Sequence, residues 1–438
     1  MTRSAPTTGQ LRTSVVCVDG LLRQRRCYLK SASVARPHNF GRDGDVELTI
    51  TRAAGSYVFD AHRRYIDFVS GWCVGNLGWN HPVVVDAVRR FRGPDYVYPE
   101  HGYTPWDELS RRLAKAVPGR LVTSFRATGG SEAIDLALQA AMLHTRRRRF
   151  LSLEGAYHGN TIGALSIGST DNRQVYPNLL QSCDTIAPPL GERALDSIET
   201  RLKRRDVAAF VMEPVSINLG VLVPAAPFMT GLQRLCQRYG TLLVMDEVAC
   251  GFGRTGALFA TEHYGLAPDM LCIGKAMTAG VLGAGAMIAT APVARSMEKS
   301  GTFWSTYGWH PRSVAAAIAT IGYMTANRRR LMSGVEKMSA YFFARLVSSR
   351  LSQFGAISVS GLAISVDVED EARANRIQKR CLRRGLVLTT QGAKLLLLPA
   401  LTIGESVAAE GLDTLDECVP PTQKTKYKGP RMRTDQGP

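Results

Sequence analysis

The stretch Leu242–Lys275, LLVMDEVACGFGRTGALFATEHYGLAPDMLCIGK, constrains the fold more than any other part of this chain. It opens on an apolar run, Leu242 to Met245, of a length that suits one buried strand. Two acids, Asp246 and Glu247, follow at once. In an open α/β sheet, ligands sit outside the carboxyl ends of the parallel strands, so Asp246 stands where a functional carboxylate belongs. The glycine-rich turn Gly251-Phe-Gly-Arg-Thr-Gly256 interrupts the stretch, and a second apolar run, Met270 to Ile273, delivers Lys275. Lys275 comes 29 residues after Asp246, a spacing that suits two neighbouring parallel strands joined by a crossover.

A lysine just past a buried strand needs a reason, because burying an ammonium is costly. One reason is a structural ion pair with Asp246 or Glu247. The other is a Schiff base, where desolvation lowers the lysine pKa and frees the amine as a nucleophile. Chemistry alone leaves both open. The string DEVxxGFGRTG followed by a lysine adds information. It resembles the cofactor signature of the class III aminotransferases, pyridoxal-phosphate enzymes of fold type I, and it agrees at several positions in type and order.

Length and charge bound the answer from another side. A chain of 438 residues suggests more than one domain, and its 45% apolar and 21% charged content is that of a globular protein. No apolar run approaches the roughly eighteen residues of a membrane span. Nine cysteines are scattered without a CxxC pair or a Cys/His cluster at metal spacing, which favours free thiols in a reducing compartment and no metal. The net charge of +17 invites a nucleic-acid reading, but its distribution argues otherwise. Residues 1–36 carry seven basic side chains against one acid, and residues 424–438 five against one, so ten of the seventeen charges sit in two tails. We read these tails as solvated extensions, with an organellar address in the Ser/Thr-rich head as a minority option. No aromatic-basic reading surface is visible, so no specific nucleic-acid partner is expected.

Other motifs fall in the order the family shows. Glu47 to Phe68 alternates around Gly55 and reads as an antiparallel strand pair. The segment from Val69 ends in a Gly-x-x-His-Pro turn at Pro82. In the family it borders the substrate pocket, which makes Ser70, Trp72 and Cys73 candidate lining residues; core packing is the other reading of Trp72. Trp79 stands where the family commonly has a histidine. Strand, glycine turn and helix follow around Gly129, Gly130 and Ser131. A helix N-terminus of this kind offers free N–H groups to a phosphate, and the turn resembles the family's phosphate loop. Tyr157 occupies the place of the family's ring-stacking aromatic, His158 follows it directly, and Glu213-Pro214 resembles an element whose acid lies near the cofactor. Thr306 matches a threonine that in the family bonds the phosphate held by the partner subunit.

The resemblance covers about residues 45–415 and implies an α/β chain of fold type I, a large domain with a mostly parallel sheet plus a small α/β domain. We divide the chain into a basic, disordered extension (1–40), the N-terminal part of the small domain (41–100), the large pyridoxal-phosphate domain (101–325), the C-terminal small domain (326–420) and a basic tail (421–438). By the resemblance, Lys275 holds the cofactor and shuttles the proton, Asp246 pairs with the ring nitrogen, and Val248 packs beneath the ring. The implied reaction is transamination between an amine or amino acid and a keto acid or aldehyde, in a cytoplasmic homodimer with a shared active site. Aminomutases, racemases, a decarboxylase and phospholyases of the same family are the alternatives. Two departures bear on the acceptor. The glutamate of the family's glutamate gate aligns with Asn218, and Leu396 stands near the place of its arginine, so 2-oxoglutarate is expected to be a poor acceptor unless Lys394 or Arg254 replaces that cation. Ala249 stands where a glutamine often bonds the ring hydroxyl.

Overall fold

The computed structural model describes residues 48–168, 174–300 and 303–420. The two basic extensions, with the disorder and the organellar address read from them, lie outside those residues. Every element described lies within residues 50–420.

The strands are β1 (Arg52–Ala54), β2 (Tyr57–Phe59), β3 (Arg64–Asp67), β4 (Leu121–Ala127), β5 (Arg149–Leu153), β6 (Cys183–Ile186), β7 (Val207–Met212), β8 (Leu242–Asp246), β9 (Met270–Ile273), β10 (Gly285–Thr290), β11 (Ile357–Ser360), β12 (Ala363–Asp367), β13 (Leu386–Val387), β14 (Thr389–Gln391) and β15 (Lys394–Leu397). The central sheet runs in the order β4-β10-β9-β8-β7-β5-β6. Strands β9, β8, β7, β5 and β6 pair in parallel in that order, and β10 is antiparallel to both of its neighbours. Continuous apolar runs such as Val207–Met212 belong here, because both faces of a parallel sheet are covered. Along β8, Leu242 and Val244 enter one core with the helix Gly130–Thr145, while Leu243 and Met245 enter another with the helices Glu192–Leu202 and Ala226–Tyr239. The period of two assigns the faces.

Two smaller sheets complete the fold. One has the order β11-β12-β15-β14; the other, β1-β2-β3-β13, joins the start of the chain to residues 386–387 through the parallel pair β3/β13. The expected strand pair before Phe68 is thus a three-stranded meander. Asp60 makes the extra turn, accepting from the N–H groups of His62 and Arg63. The helix Arg328–Val347 starts directly after Asn327, whose side chain donates to the Tyr323 carbonyl. On β15, Leu395 and Leu397 face the main core, whereas Leu396 and Leu398 face a small cluster with Cys73, Ala249 and Cys250.

Candidate active site

The carboxyl ends of β8 and β9 lie side by side, with Asp246 in register with Cys272, three residues before Lys275. Asp246 is buried, and its Oδ2 lies 2.7 Å from Nδ1 of His158. A carboxylate only accepts, so the proton between them sits on Nδ1. Oδ1 of Asp246 accepts the N–H of Val248 at 3.0 Å, which fixes the carboxylate from a second side. Lys275 follows Gly274 in a left-handed conformation (φ 42°) at the start of a short 3₁₀ turn. Glu247 does not share this site. Its carboxylate accepts from the N–H groups of Ala260 and Thr261 and from the Thr261 hydroxyl, and so ties down the crossover.

The helix Gly130–Thr145 aims its N-terminus at the same place. Its N-cap is Gly129, and no side chain caps it, so its first N–H groups remain free to take an anion. A Cβ on Gly130 would stand 2.7 Å from Cγ1 of Val248, so only glycine lets the helix end approach this close. Nothing stands within 4 Å of a Cβ placed on Gly129. Ser131 Oγ accepts the Asn160 N–H at 3.2 Å, which joins the helix end to the Tyr157-His158-Gly159 turn. Tyr157 itself is 44% exposed; partial burial and the charge of Asp246 raise its pKa.

Glu213 is fully buried after β7. It accepts from Ser216 Oγ at 2.7 Å and from Asn218 Nδ2 at 3.3 Å. Burial first, then the charge of Asp246, pushes its carboxyl up to about 7. The structure thus gathers Gly129, Gly130, Ser131, His158, Asp246, Val248 and Lys275 around the ends of two strands, with Tyr157 and Glu213 close enough to feel the Asp246 charge. Thr306 is not among them. It is exposed, and among the described residues no hydrogen bond joins it to the others.

Ser70, Trp72 and Cys73 lie on a short turn in which all four residues 70–73 have positive φ, from 49° to 64°. Left-handed backbone costs about 1–2 kcal/mol per non-glycine residue, so Ser70, Trp72 and Cys73 together cost about 3–6 kcal/mol. Buried Asp67 offsets this. Its Oδ1 accepts the N–H of Val69 at 2.8 Å and of Ser70 at 3.0 Å, and hydrogen bonds to a charged group are worth about 1.5–3 kcal/mol each. Asp67 is a residue that sequence reasoning missed, although an acid between Ile66 and Phe68 carries the same signal as Asp246. Trp72 is partly buried against the cluster containing Cys73, Ala249 and Leu396.

The structure removes Arg254 as a carboxylate partner for substrate. Its guanidinium is wholly buried, donating to the carbonyls of Leu362 and Pro399 and to Asn76 Oδ1. Lys394 Nζ donates to the Leu219 carbonyl at 3.3 Å, beside the loop that carries Asn218, and has no ion pair among the described residues. A large open groove runs elsewhere, along the helix Arg328–Val347 between Met332, Phe343 and Gly361, and contains none of the paired acids.

Known proteins show the family to which the chain belongs. The family model for aminotransferase class-III matches residues 40–419. This chain belongs to the class III aminotransferases. An acetylornithine aminotransferase of Methanopyrus kandleri is 33% identical over 380 residues, 85% of this chain and 94% of that relative. One from Archaeoglobus fulgidus is 32% identical over 366 residues, 82% and 92% of the two chains. Among solved structures, an amine transaminase from an uncultivated Pseudomonas species in its PLP-bound form superposes with a TM-score of 0.80 at 28% identity, covering 89% of this chain and 99% of that one. The ornithine aminotransferase of Toxoplasma gondii ME49 superposes with a TM-score of 0.79 at 25% identity, covering 86% and 91%. The expected fold type I architecture and the transaminase function both stand.

Proposed function

We propose that this aminotransferase holds pyridoxal phosphate between the ends of β8 and β9, and the observation that carries the reading is that Asp246 ends β8 beside β9, the strand that leads into Lys275. Bound there, the cofactor supplies an electron sink that acidifies the substrate carbon next to nitrogen. The chain's own residues do the rest. The uncapped helix end at Gly129, Gly130 and Ser131 binds the phosphate. Asp246, oriented by His158 and the Val248 N–H, keeps the ring nitrogen protonated. Tyr157 and Val248 would offer the ring an aromatic and an apolar contact, and Glu213 would lie near it. Lys275 Nζ would hold the cofactor covalently and, as a free amine, would serve as the base and acid for the substrate proton. Ser70, Trp72 and Cys73 border the substrate, an amine or amino acid in one half-reaction and a carbonyl compound in the other.

The working form in this reading is a cytoplasmic homodimer, with Thr306 reaching the partner's phosphate, and the division into a large domain (101–325) and a small one (41–100 with 326–420) goes with it. Exposed aromatic rings surround Thr306 and support a covered face: Trp304 packs on Tyr98 at 5.3 Å and Tyr307 on Tyr96 at 6.0 Å. Among the described residues no helix is long and apolar enough to cross a membrane, and the seven cysteines there are buried free thiols. Borohydride reduction followed by peptide mapping tests the central assignment. The cofactor tag belongs on Lys275, and a tag on any other lysine refutes it.

A further inference from the structure

The left-handed turn Ser70–Cys73 needs outside support, because backbone of this kind persists only where its surroundings over-determine it. Part of that support is a residue the mechanism does not use. The backbone of Trp79 is fixed first, its N–H and C=O pairing with those of Gly55 at 2.9 Å each. Its indole Nε1 then donates to Oδ2 of buried Asp67 at 2.7 Å, while Oδ1 of the same carboxylate holds the N–H groups at the entrance to the turn. The ring lies flat against three glycines. A Cβ would stand 3.0 Å from it at Gly71, 3.3 Å at Gly75 and 2.9 Å at Gly280. Gly71 is inside the turn, Gly75 just beyond it, and Gly280 belongs to the loop that follows Lys275.

We propose that Trp79, acting through Asp67, is a positioning residue that clamps the left-handed turn, and with it Trp72, against the loop after Lys275. The indole does two jobs at once: its N–H completes the hydrogen bonding of the buried carboxylate that holds the turn, and its face spans the gap to Gly280. Neither Trp79 nor Asp67 bonds to Asp246, His158 or Lys275 among the described residues. The clamp therefore acts on how a bulky substrate substituent is seated beside Trp72, not on the proton transfer. It rests on the reading that Trp72 borders the substrate pocket.

The test uses the holoenzymes of Trp79→Phe, Trp72→Ala and the double variant. Phenylalanine keeps most of the ring but deprives Asp67 Oδ2 of its donor. Hydrogen exchange read by mass spectrometry should rise about tenfold in peptides covering 69–75 and stay unchanged across β8, because only the turn is released. With a series of straight-chain amines as donors, Trp79→Phe should raise KM for the longest amine turned over by about tenfold while leaving kcat and the bound-cofactor absorbance in place. Trp72→Ala, which removes the ring that the turn carries, should raise KM for the longest amine at least as much, and the double variant should be no worse than Trp72→Ala alone, since both act through one turn. Unchanged exchange at 69–75, multiplicative effects in the double variant, or a fall in kcat shared by all donors overturns the clamp. If Trp72→Ala leaves donor preference untouched, the pocket reading itself fails, whatever the exchange data show.

Discussion

Nδ1 of His158 lies 2.7 Å from Oδ2 of Asp246, and both side chains are sealed from solvent. The pair sits at the carboxyl end of β8, where the sheet aims a negative charge at whatever binds above it. In the reading proposed above Asp246 also pairs with the protonated ring nitrogen, and removing one partner of a buried charge pair costs about 3–5 kcal/mol. Asp246→Asn should therefore lose cofactor affinity and turnover together while its circular dichroism stays that of the parent. His158→Phe keeps the ring volume and should cost less, since the Val248 N–H still holds the carboxylate. Near-normal turnover in Asp246→Asn would remove Asp246 from the role assigned to it.

Glu213 makes stability depend on pH. Its folded pKa, about 7, lies above the ordinary 4.5 because burial and the Asp246 charge oppose ionisation. The folded state thus holds a proton that the unfolded chain has released, and stability falls as pH rises from about 4.5 to about 7, then levels off. The ceiling on this term is about 3 kcal/mol. Urea unfolding at pH 5.5 and 8 should show the loss in the parent, and Glu213→Gln should flatten it. Identical profiles for the two proteins would contradict the assignment.

Among the described residues, none of positions 218, 254 and 396 presents an accessible cation for a second carboxylate. Leu396 faces a cluster with Cys73 and Ala249, Asn218 bonds to Glu213, and Arg254 is occupied by backbone carbonyls. A bidentate arginine–carboxylate contact is among the stronger single interactions available, so its absence should show in rates. Pyruvate should outperform 2-oxoglutarate in kcat/KM with a common donor. The reverse preference, abolished by Lys394→Met, would show that Lys394 leaves the Leu219 carbonyl to serve as the carboxylate partner.

Subunit sharing has its own signature. In a mixture of Lys275→Ala and Thr306→Ala proteins allowed to exchange subunits, each heterodimer regains one site with both residues intact. High-affinity cofactor binding should reappear at that site, above the level of either variant alone. No gain after confirmed exchange would confine Thr306 to its own subunit.

The sequence alone determined the strands β8 and β9, the two residues they deliver, and the glycine turn at the helix N-terminus. These are local signals: apolar runs with charged ends, and a glycine turn before a periodic segment. It determined the family as well, because motif order survives in one dimension. Contacts between distant segments were invisible to it. The sequence pointed to Asp246 by its strand end and motif, but not to its partner His158, 88 residues away, nor to the Ala260–Thr261 turn that holds Glu247. Nothing local explains Trp79, whose partners are Asp67 and a glycine after Lys275. The same holds for Arg254, whose cationic end is spent on carbonyls 108 and 145 residues away. A side chain's chemistry is fixed by its type, but its role depends on which groups desolvate and bond it. Only the tertiary structure chooses those groups.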